Sequence, residues 1–307
     1  MKKIKLLCVV GPTASGKTGL GIELAKKLSG EIVSADSMQI YKGIHIASAA
    51  PDEAEKQGIP HHLIEFLDPE ESFTVAEYVE LAHKTISEIS ARGALPIVVG
   101  GTGLYINSLI DGIDFVPQEF DSALRERLTL EAENNGNEAM LEKLRSIDPD
   151  AASKLHPNDI RRIIRALEIY YSTGLTRTQA DEISKKESRY DVLLLGLSCA
   201  DRQKLYDRIN LRVDIMLENG LVDEARNSLS KTTGGAVQAI GHKELLPYLS
   251  GEATLCDAAE ALKRATRRYA KRQLTWFRRD ERVKWIYTDE CDDPIEKALE
   301  IIEEWRN

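Results

Sequence analysis

Three features of the chain predict an α/β fold, in which a parallel sheet is flanked by helices and interrupted by a helical insertion. Buried-strand patterns at Ile4 to Val10, Glu31 to Ala35, Leu95 to Val99 and Val192 to Cys199 alternate with helical periods, as parallel sheets require. The first of these strands breaks into Gly11-Pro12-Thr13-Ala14-Ser15-Gly16-Lys17-Thr18 just before a helix. Between about Gly112 and Tyr190 strand-like runs vanish, and the buried pattern then resumes. An α/β core over 1–111 and 191–307 with a helical domain over 112–190 is therefore expected.

The break after the first strand has the spacing of a phosphate loop, so the core is expected to be P-loop NTPase-like. Gly, four residues and Gly-Lys-Thr let successive backbone N–H groups of residues 11–18 curl around an oxyanion. Lys17 then reaches over the anion, and the Thr18 hydroxyl faces a divalent cation, Mg²⁺. Leu20, Leu24 and Leu28 mark the following helix, whose N-terminus adds partial positive charge. The loop does not choose its phosphate, because nucleoside triphosphates and other diphosphates look alike to a ring of amides.

At 307 residues the chain can bury a large core and support a second unit. No apolar run reaches the length of a membrane span, and Met1-Lys2-Lys3 leads straight into a strand that the loop needs, which a cleaved signal would remove. Cys8, Cys199, Cys256 and Cys291 form no paired spacing, so neither a zinc site nor a disulfide framework is indicated. A cytoplasmic protein away from membranes is expected. The net charge of −9 argues against a nucleic-acid partner on average, but averages hide patches.

In chain order, the strand Glu31 to Ala35 ends at Asp36-Ser37-Met38-Gln39. Ligands of doubly wound sheets sit outside the carboxyl ends of strands, which places Asp36 near the phosphate loop. Its carboxylate can hold Mg²⁺ through water, act as a general base, or cap the following turn. Residues 43–74 read as irregular, and the adjacent His61 and His62 point in different directions, which suits a structural or substrate-lining role better than a metal pair. Thr74 to Arg92 has the period of an amphipathic helix. After Leu95 to Val99, the run Gly100-Gly101-Thr102-Gly103 gives either room for a ligand to approach backbone or close packing, with the Thr102 hydroxyl in its midst. That strand lacks the terminal Asp by which P-loop hydrolases hold Mg²⁺, which weakens an ATPase or GTPase reading.

In the insertion, Asn158 or Asp159 is placed to cap a helix whose Ile163, Ile164 and Leu167 pack inward. Arg161, Arg162 and Arg165 share a neighbouring face, which serves as a solvated surface or an anion site. Asp201 to Leu229 is helical with a break near Gly220, and Arg208 and Arg212 lie one turn apart, suited to a diphosphate or an acidic neighbour. Ala236 to Leu249 carries Gly241-His-Lys-Glu and is otherwise silent. From Leu262 to Arg279, Lys263, Arg264, Arg267, Arg268, Lys271, Arg272, Arg278 and Arg279 fill one half of a helical wheel without an acidic residue among them. Such a face repels itself unless an anion covers it, and phosphate backbones are favoured over the other reading, a solvated face or a contact with the acidic remainder of the chain. A strand at Val283 to Tyr287 and a helix at Pro294 to Trp305 close the core.

Taken together, GPTASGKT, SADSMQIY, PHHLIE, VVGGTGLY, PNDIRRIIRALE, the arginine-bearing helix and AKRQLTWFRR resemble the tRNA dimethylallyltransferase (tRNA isopentenyltransferase) family over nearly the whole chain. With no zinc-finger segment before Asn307, the compact bacterial form, a monomer, is expected. The resemblance implies transfer of a dimethylallyl group from dimethylallyl diphosphate to N6 of adenosine at position 37 of tRNAs reading codons that start with uridine. It implies that residues 11–18, Lys17, Thr18 with Mg²⁺, and Arg208 or Arg212 stabilise the departing diphosphate. It also implies that Asp36 is the base, that Thr102 orients the reacting amine, and that Asp36, Ser37, Met38 and Gln39 line the adenine pocket. Arg161, Arg162 and Arg165, with Lys271, Arg272 and Arg278, would clamp the anticodon stem-loop around an extruded base.

Three rivals share these residues. A nucleoside or nucleotide kinase would use the loop for ATP, and an adenylate isopentenyltransferase would prenylate free AMP. An RNA-binding P-loop protein would use nucleotide only to set its affinity.

Overall fold

In the computed structural model, which describes residues 3–115, 121–229 and 239–306, β1 (Ile4–Val10) leads through the phosphate loop into α1 (Lys17–Leu28). Then come β2 (Gly30–Ser34), the one-turn helices α2 (His45–Ser48) and α3 (Glu53–Lys56), β3 (His61–His62), α4 (Val75–Ala91), β4 (Leu95–Gly100) and α5 (Gly103–Ile110). The insertion is α6 (Ser122–Asn135), α7 (Asn137–Ile147), α8 (Pro149–Ser153), α9 (Ile160–Thr173) and α10 (Arg177–Ser184). The chain returns as β5 (Tyr190–Ser198), α11 (Arg202–Glu218), α12 (Leu221–Leu229), α13 (His242–Leu249), α14 (Leu255–Phe277), β6 (Val283–Tyr287) and α15 (Pro294–Arg306). The start of the Ala236 to Leu249 stretch lies outside the described residues.

The six strands form one sheet in the order β3-β2-β4-β1-β5-β6, and every pairing is parallel. The register sets Val10 level with Gly100 on one side and Gly196 on the other. The loops after β1, β2 and β4 therefore leave the sheet along one edge, where open parallel sheets bind ligands. Alternate residues explain the layers: Leu7, Val9, Ile97, Val99, Leu193 and Leu195 turn to one face and bury against Leu20 and Leu24 of α1 and Ala298 and Ile302 of α15. The helices begin where the sequence supplies caps. Thr74 Oγ1 accepts from the Glu77 N–H at 3.3 Å while Glu77 accepts from the Thr74 N–H at 2.7 Å, and Thr254 and Asp257 repeat the device before α14.

The chain divides into two units, Met1–Ile110 with Arg189–Asn307, and Asp111–Ser188. The second has its own core of Leu128, Met140, Leu144, Ile163 and Leu167. Buried Asp148 holds two of its helices, accepting from the Ala151 N–H (3.0 Å) and from both the N–H (2.9 Å) and hydroxyl (2.7 Å) of Thr178. Asp159 stands at the N-cap of α9, but its carboxylate accepts from the His156 N–H at 3.1 Å, so no side chain caps that helix. This differs from the expected capping, because the preceding turn captures the carboxylate first.

Candidate active site

The phosphate loop is shaped by its glycines. Gly11 has φ 150°, and a Cβ there would stand 2.3 Å from the Leu197 carbonyl oxygen, so only glycine lets β1 turn this close to β5. Gly16 precedes α1 in the left-handed region at φ 91°. Inside the loop the Ser15 hydroxyl is buried and, among the described residues, has no hydrogen-bond partner. An orphan donor in a ring of amides suits an anion's oxygen. The Lys17 ammonium reaches back to the Pro12 carbonyl at 3.3 Å. Burial lowers the Lys17 pKa to about 8, with Arg212 acting in the same direction and Asp36 against both.

A cavity of about 530 Å³ opens beside the loop. Ala14, Gly16, Lys17 and Thr18 of the loop line it, as does Arg212. Ile46, Ala49, Ala50, Ile215 and Met216 give it apolar lining, and His45, Asp52, Glu55 and Asn219 line it as well. Arg212 is depressed by burial, although Asp36 and Glu55 oppose the shift. Arg208 goes elsewhere, donating to the Thr288 hydroxyl at 3.0 Å, and does not line the cavity. The two arginines one turn apart are thus separated by the structure. The α2 wall is fixed from a distance: Glu224 accepts from the N–H groups of Ile46 (2.7 Å) and Ala47 (2.8 Å), and buried His242 stands 3.3 Å from the same carboxylate. The motif Gly241-His-Lys-Glu, silent in the sequence, supplies that His242.

A second, smaller cavity shares Lys17 and Thr18 and is lined by Ser34, Asp36, Gln39 and His61. Of the four residues Asp36 to Gln39, Asp36 and Gln39 therefore face the site. Asp36 Oδ1 also accepts from the Met38 N–H at 2.9 Å, so the turn cap and the functional placement coexist in one carboxylate. Gln39 accepts from the Ser34 hydroxyl (2.9 Å) and donates to the Ala49 carbonyl (3.1 Å), tethering the turn to the end of α2. Met38 packs against a small core of Ile40, Tyr41 and Ile44. Thr102 Oγ1 accepts from the Ser37 N–H at 3.0 Å, joining the turns after β2 and β4. His62 pairs with Glu31 at 2.6 Å, and the His61 Nδ1 bonds the Ile59 carbonyl at 2.8 Å.

The glycines after β4 resolve into packing. A Cβ on Gly100 would stand 2.2 Å from the Ala35 carbonyl oxygen, one on Gly101 would stand 2.1 Å from Gln273 Nε2, and one on Gly103 would stand 2.3 Å from Trp276. Protein atoms, not a ligand, occupy the room that these glycines leave.

The basic helix α14 has two working faces. Arg264, Arg268 and Lys271 are exposed and, among the described residues, have no acidic partner. Lys263 departs from the expectation of an unpaired basic face, bonding Asp214 of α11 (2.8 Å) and Glu260 (3.4 Å), because one carboxylate comes from another helix and the other from the turn of α14 just before the 262–279 stretch. Arg267 donates to Asn210 at 2.5 Å, and Arg272 lies 5.5 Å from the Tyr269 ring centre. On the inner face Gln273 accepts from the Thr13 N–H (2.9 Å) and donates to the Gly101 carbonyl (3.0 Å). Tyr269 reaches Thr102 and Gln273, and burial with the Asp36 charge holds its phenol well above the usual range. Sequence reasoning missed Gln273; its signal was an uncharged polar residue on the apolar half of the wheel. In the insertion, Arg161 and Arg162 are exposed, whereas Arg165 pairs with buried Glu168 at 3.3 Å.

Among the described residues no cluster of three or more His, Cys, Asp or Glu can hold a metal ion by itself. Thr18 and Asp36, which line the smaller cavity with Lys17, offer oxygens of the kind that suit Mg²⁺, a hard cation that completes its shell with phosphate oxygens and water.

The parallel sheet, the glycine-shaped loop at its central strand and the cation-lined cavity define a phosphate-loop α/β protein. Residues 39–280 match the family model described as IPP transferase. The chain is 53% identical over 292 residues to a tRNA dimethylallyltransferase of Acetivibrio thermocellus, covering 94% of this chain and 93% of that one. It is 49% identical over 299 residues to the tRNA dimethylallyltransferase of Bacillus subtilis, covering 97% and 94%. Among solved structures it resembles the tRNA isopentenylpyrophosphate transferase of Bacillus halodurans, with a TM-score of 0.72, 44% identity, and coverage of 99% of this chain and 97% of that one. It also resembles a eukaryotic dimethylallyltransferase acting on tRNA, with a TM-score of 0.82, 32% identity, and coverage of 98% and 79%. The chain belongs to the IPP transferase family, and it is an enzyme.

Proposed function

We propose that this chain transfers a dimethylallyl group from dimethylallyl diphosphate to N6 of adenosine at position 37 of tRNAs whose codons start with uridine. The observation that carries the reading is the 530 Å³ cavity, which Lys17, Thr18 and Arg212 line together with Ile46, Ile215 and Met216. A diphosphate with a short hydrocarbon tail suits a lining that combines two cations and a hydroxyl with apolar side chains.

In the reaction the bond from the donor's first carbon to its diphosphate oxygen breaks, and a bond from that carbon to N6 forms. Backbone N–H groups of the loop, apart from Pro12, which has none, and Thr13, whose N–H is bonded to Gln273, join Lys17 and Arg212 in stabilising the charge that grows on the diphosphate. Ser15 offers one more donor. N6 of adenine is a weak nucleophile because its lone pair is delocalised into the ring. Asp36 takes the N6 proton, and Thr102, anchored on Ser37, orients the amine. Thr18, with Asp36 through water, would hold Mg²⁺, which supplies further positive charge at the diphosphate when bound.

Arg264, Arg268, Lys271, Arg272 and Arg278 of the basic helix and its end are read as backbone contacts for the anticodon stem-loop, and Arg161 and Arg162 as contacts from the insertion. A monomer acting in the cytoplasm fits this reading. Among the described residues no helix is long and apolar enough to cross a membrane.

The test supplies labelled dimethylallyl diphosphate with an unmodified anticodon stem-loop, with AMP, or with neither, and labelled ATP in parallel. Label is expected in the stem-loop alone. Prenylation of AMP in preference to the stem-loop, or phosphoryl transfer from ATP, would replace the reading with one of its rivals.

A further inference from the structure

Gln273 lies on the inner edge of α14 and is only 5% exposed. Its amide orientation is fixed by its partners, since the Thr13 N–H can only donate and the Gly101 carbonyl can only accept. One side chain, 260 residues from Thr13 and 172 from Gly101, thus satisfies a backbone donor of the phosphate loop and a backbone acceptor of the glycine turn. The neighbours on that edge hold the turn and the helix after it: Tyr269 reaches Thr102, and the Trp276 indole N–H donates to Asn107 of α5 at 3.0 Å. The spacings of four and three residues put Tyr269, Gln273 and Trp276 on one helical stripe. Gly101 lacks a Cβ because Gln273 Nε2 occupies that place.

We propose that Gln273 is a positioning residue that clasps the diphosphate cradle to the turn carrying Thr102, so that leaving group and acceptor amine are held in one register. It touches neither reactant. It acts by removing the freedom of two loops whose relative placement sets the distance between the breaking and forming bonds. The assignment rests on the proposed transfer reaction for its acceptor half. The cradle half stands on the Thr13 contact alone.

The test is a double-mutant cycle with Gln273→Ala and Gly101→Ala, read by calorimetric binding of inorganic pyrophosphate with Mg²⁺ and by single-turnover transfer at saturating donor and stem-loop. Gln273→Ala removes both bonds, and Gly101→Ala pushes the amide out of its seat. Each is expected to weaken pyrophosphate binding and to slow transfer by about tenfold, and the double variant should be no worse than Gln273→Ala, because the small side chain relieves the clash. Gln273→Met, which keeps the volume and loses both bonds, serves if Gln273→Ala fails to fold, and should show the same losses. A merely structural role would lower the active fraction and leave pyrophosphate affinity per site unchanged. Unchanged affinity, or additive losses in the double variant, would overturn the proposal. If wild-type protein binds pyrophosphate but transfers nothing to RNA, the functional reading fails while the pyrophosphate cycle still decides the role of Gln273.

Discussion

Lys17 and Asp36 line one cavity, and the carboxylate favours the protonated ammonium against both burial and Arg212. Burial prevails, leaving Lys17 with a pKa of about 8. Below that value the loop presents a full positive charge, and above it the charge is lost. The expected outcome is a kcat/KM for dimethylallyl diphosphate that is level just below about pH 8 and falls toward tenfold per pH unit above it. Bound diphosphate favours the charged form, so the corresponding limb of kcat should lie at higher pH. Initial rates across the alkaline range check both limbs, and a kcat/KM that stays level throughout would contradict the assignment.

Lys271 and Arg272 are adjacent and both exposed, yet they differ in kind. Lys271→Ala should weaken stem-loop binding and reduce the dependence of log affinity on log salt by about 0.7 to 0.9, leaving the donor KM alone. Arg272→Ala also loses its place over the Tyr269 ring, so transfer at saturating stem-loop should slow as well. Binding titrations at several salt concentrations, paired with single-turnover rates, separate the two.

Glu224 holds the first turn of α2 through two backbone N–H groups, although it makes no contribution to the cavity lining itself. Glu224→Ala releases the wall that carries Ile46 and Ala49. Donor KM is expected to rise by roughly tenfold, the worth of about one or two lost charge-assisted bonds, with a smaller change in kcat. Steady-state kinetics with varied donor provide the check.

Buried Glu168 joins Arg125 through bonds of 2.5 and 2.7 Å and Arg165 at 3.3 Å within the insertion. Burial raises the Glu168 carboxyl, but its bonds to Arg125 and then Arg165 outweigh that and hold it below the usual carboxylate range. The depressed value means that this stability is present above the ordinary glutamate pKa of about 4.3 and is lost as pH falls through the lower folded value. Glu168→Gln should cost about 1–2 kcal/mol near neutral pH, since both arginines are half exposed, and the gap to wild type should narrow in acid. Thermal unfolding at two pH values measures the difference.

Much of this architecture was legible in the chain. The strand before the phosphate loop, the helix after it, the helical insertion and the basic helix follow from period and punctuation, which are local properties. The residues that escaped are those whose partners lie far away in sequence. Gln273 looked like an ordinary helix position, and Glu224 and His242 carried no pattern, because each is defined by a contact with another element. Arg208 and Arg212 were equivalent by spacing, and only the position of α11 sends one to the cavity and the other to Thr288. The glycines at 100, 101 and 103 admitted two readings, and the atoms opposite each decide for packing.

The account rests on Asp36 as the acceptor of the N6 proton beside a cradle that holds the departing diphosphate. Asp36→Asn tests this most cleanly, because the amide oxygen still accepts the Met38 N–H and the turn keeps its shape. The measurement is single-turnover transfer of a dimethylallyl group to a stem-loop already bound to the protein. A loss of about 10² to 10⁴ in rate, with stem-loop affinity unchanged, is predicted. Transfer within a few-fold of wild type would contradict the account.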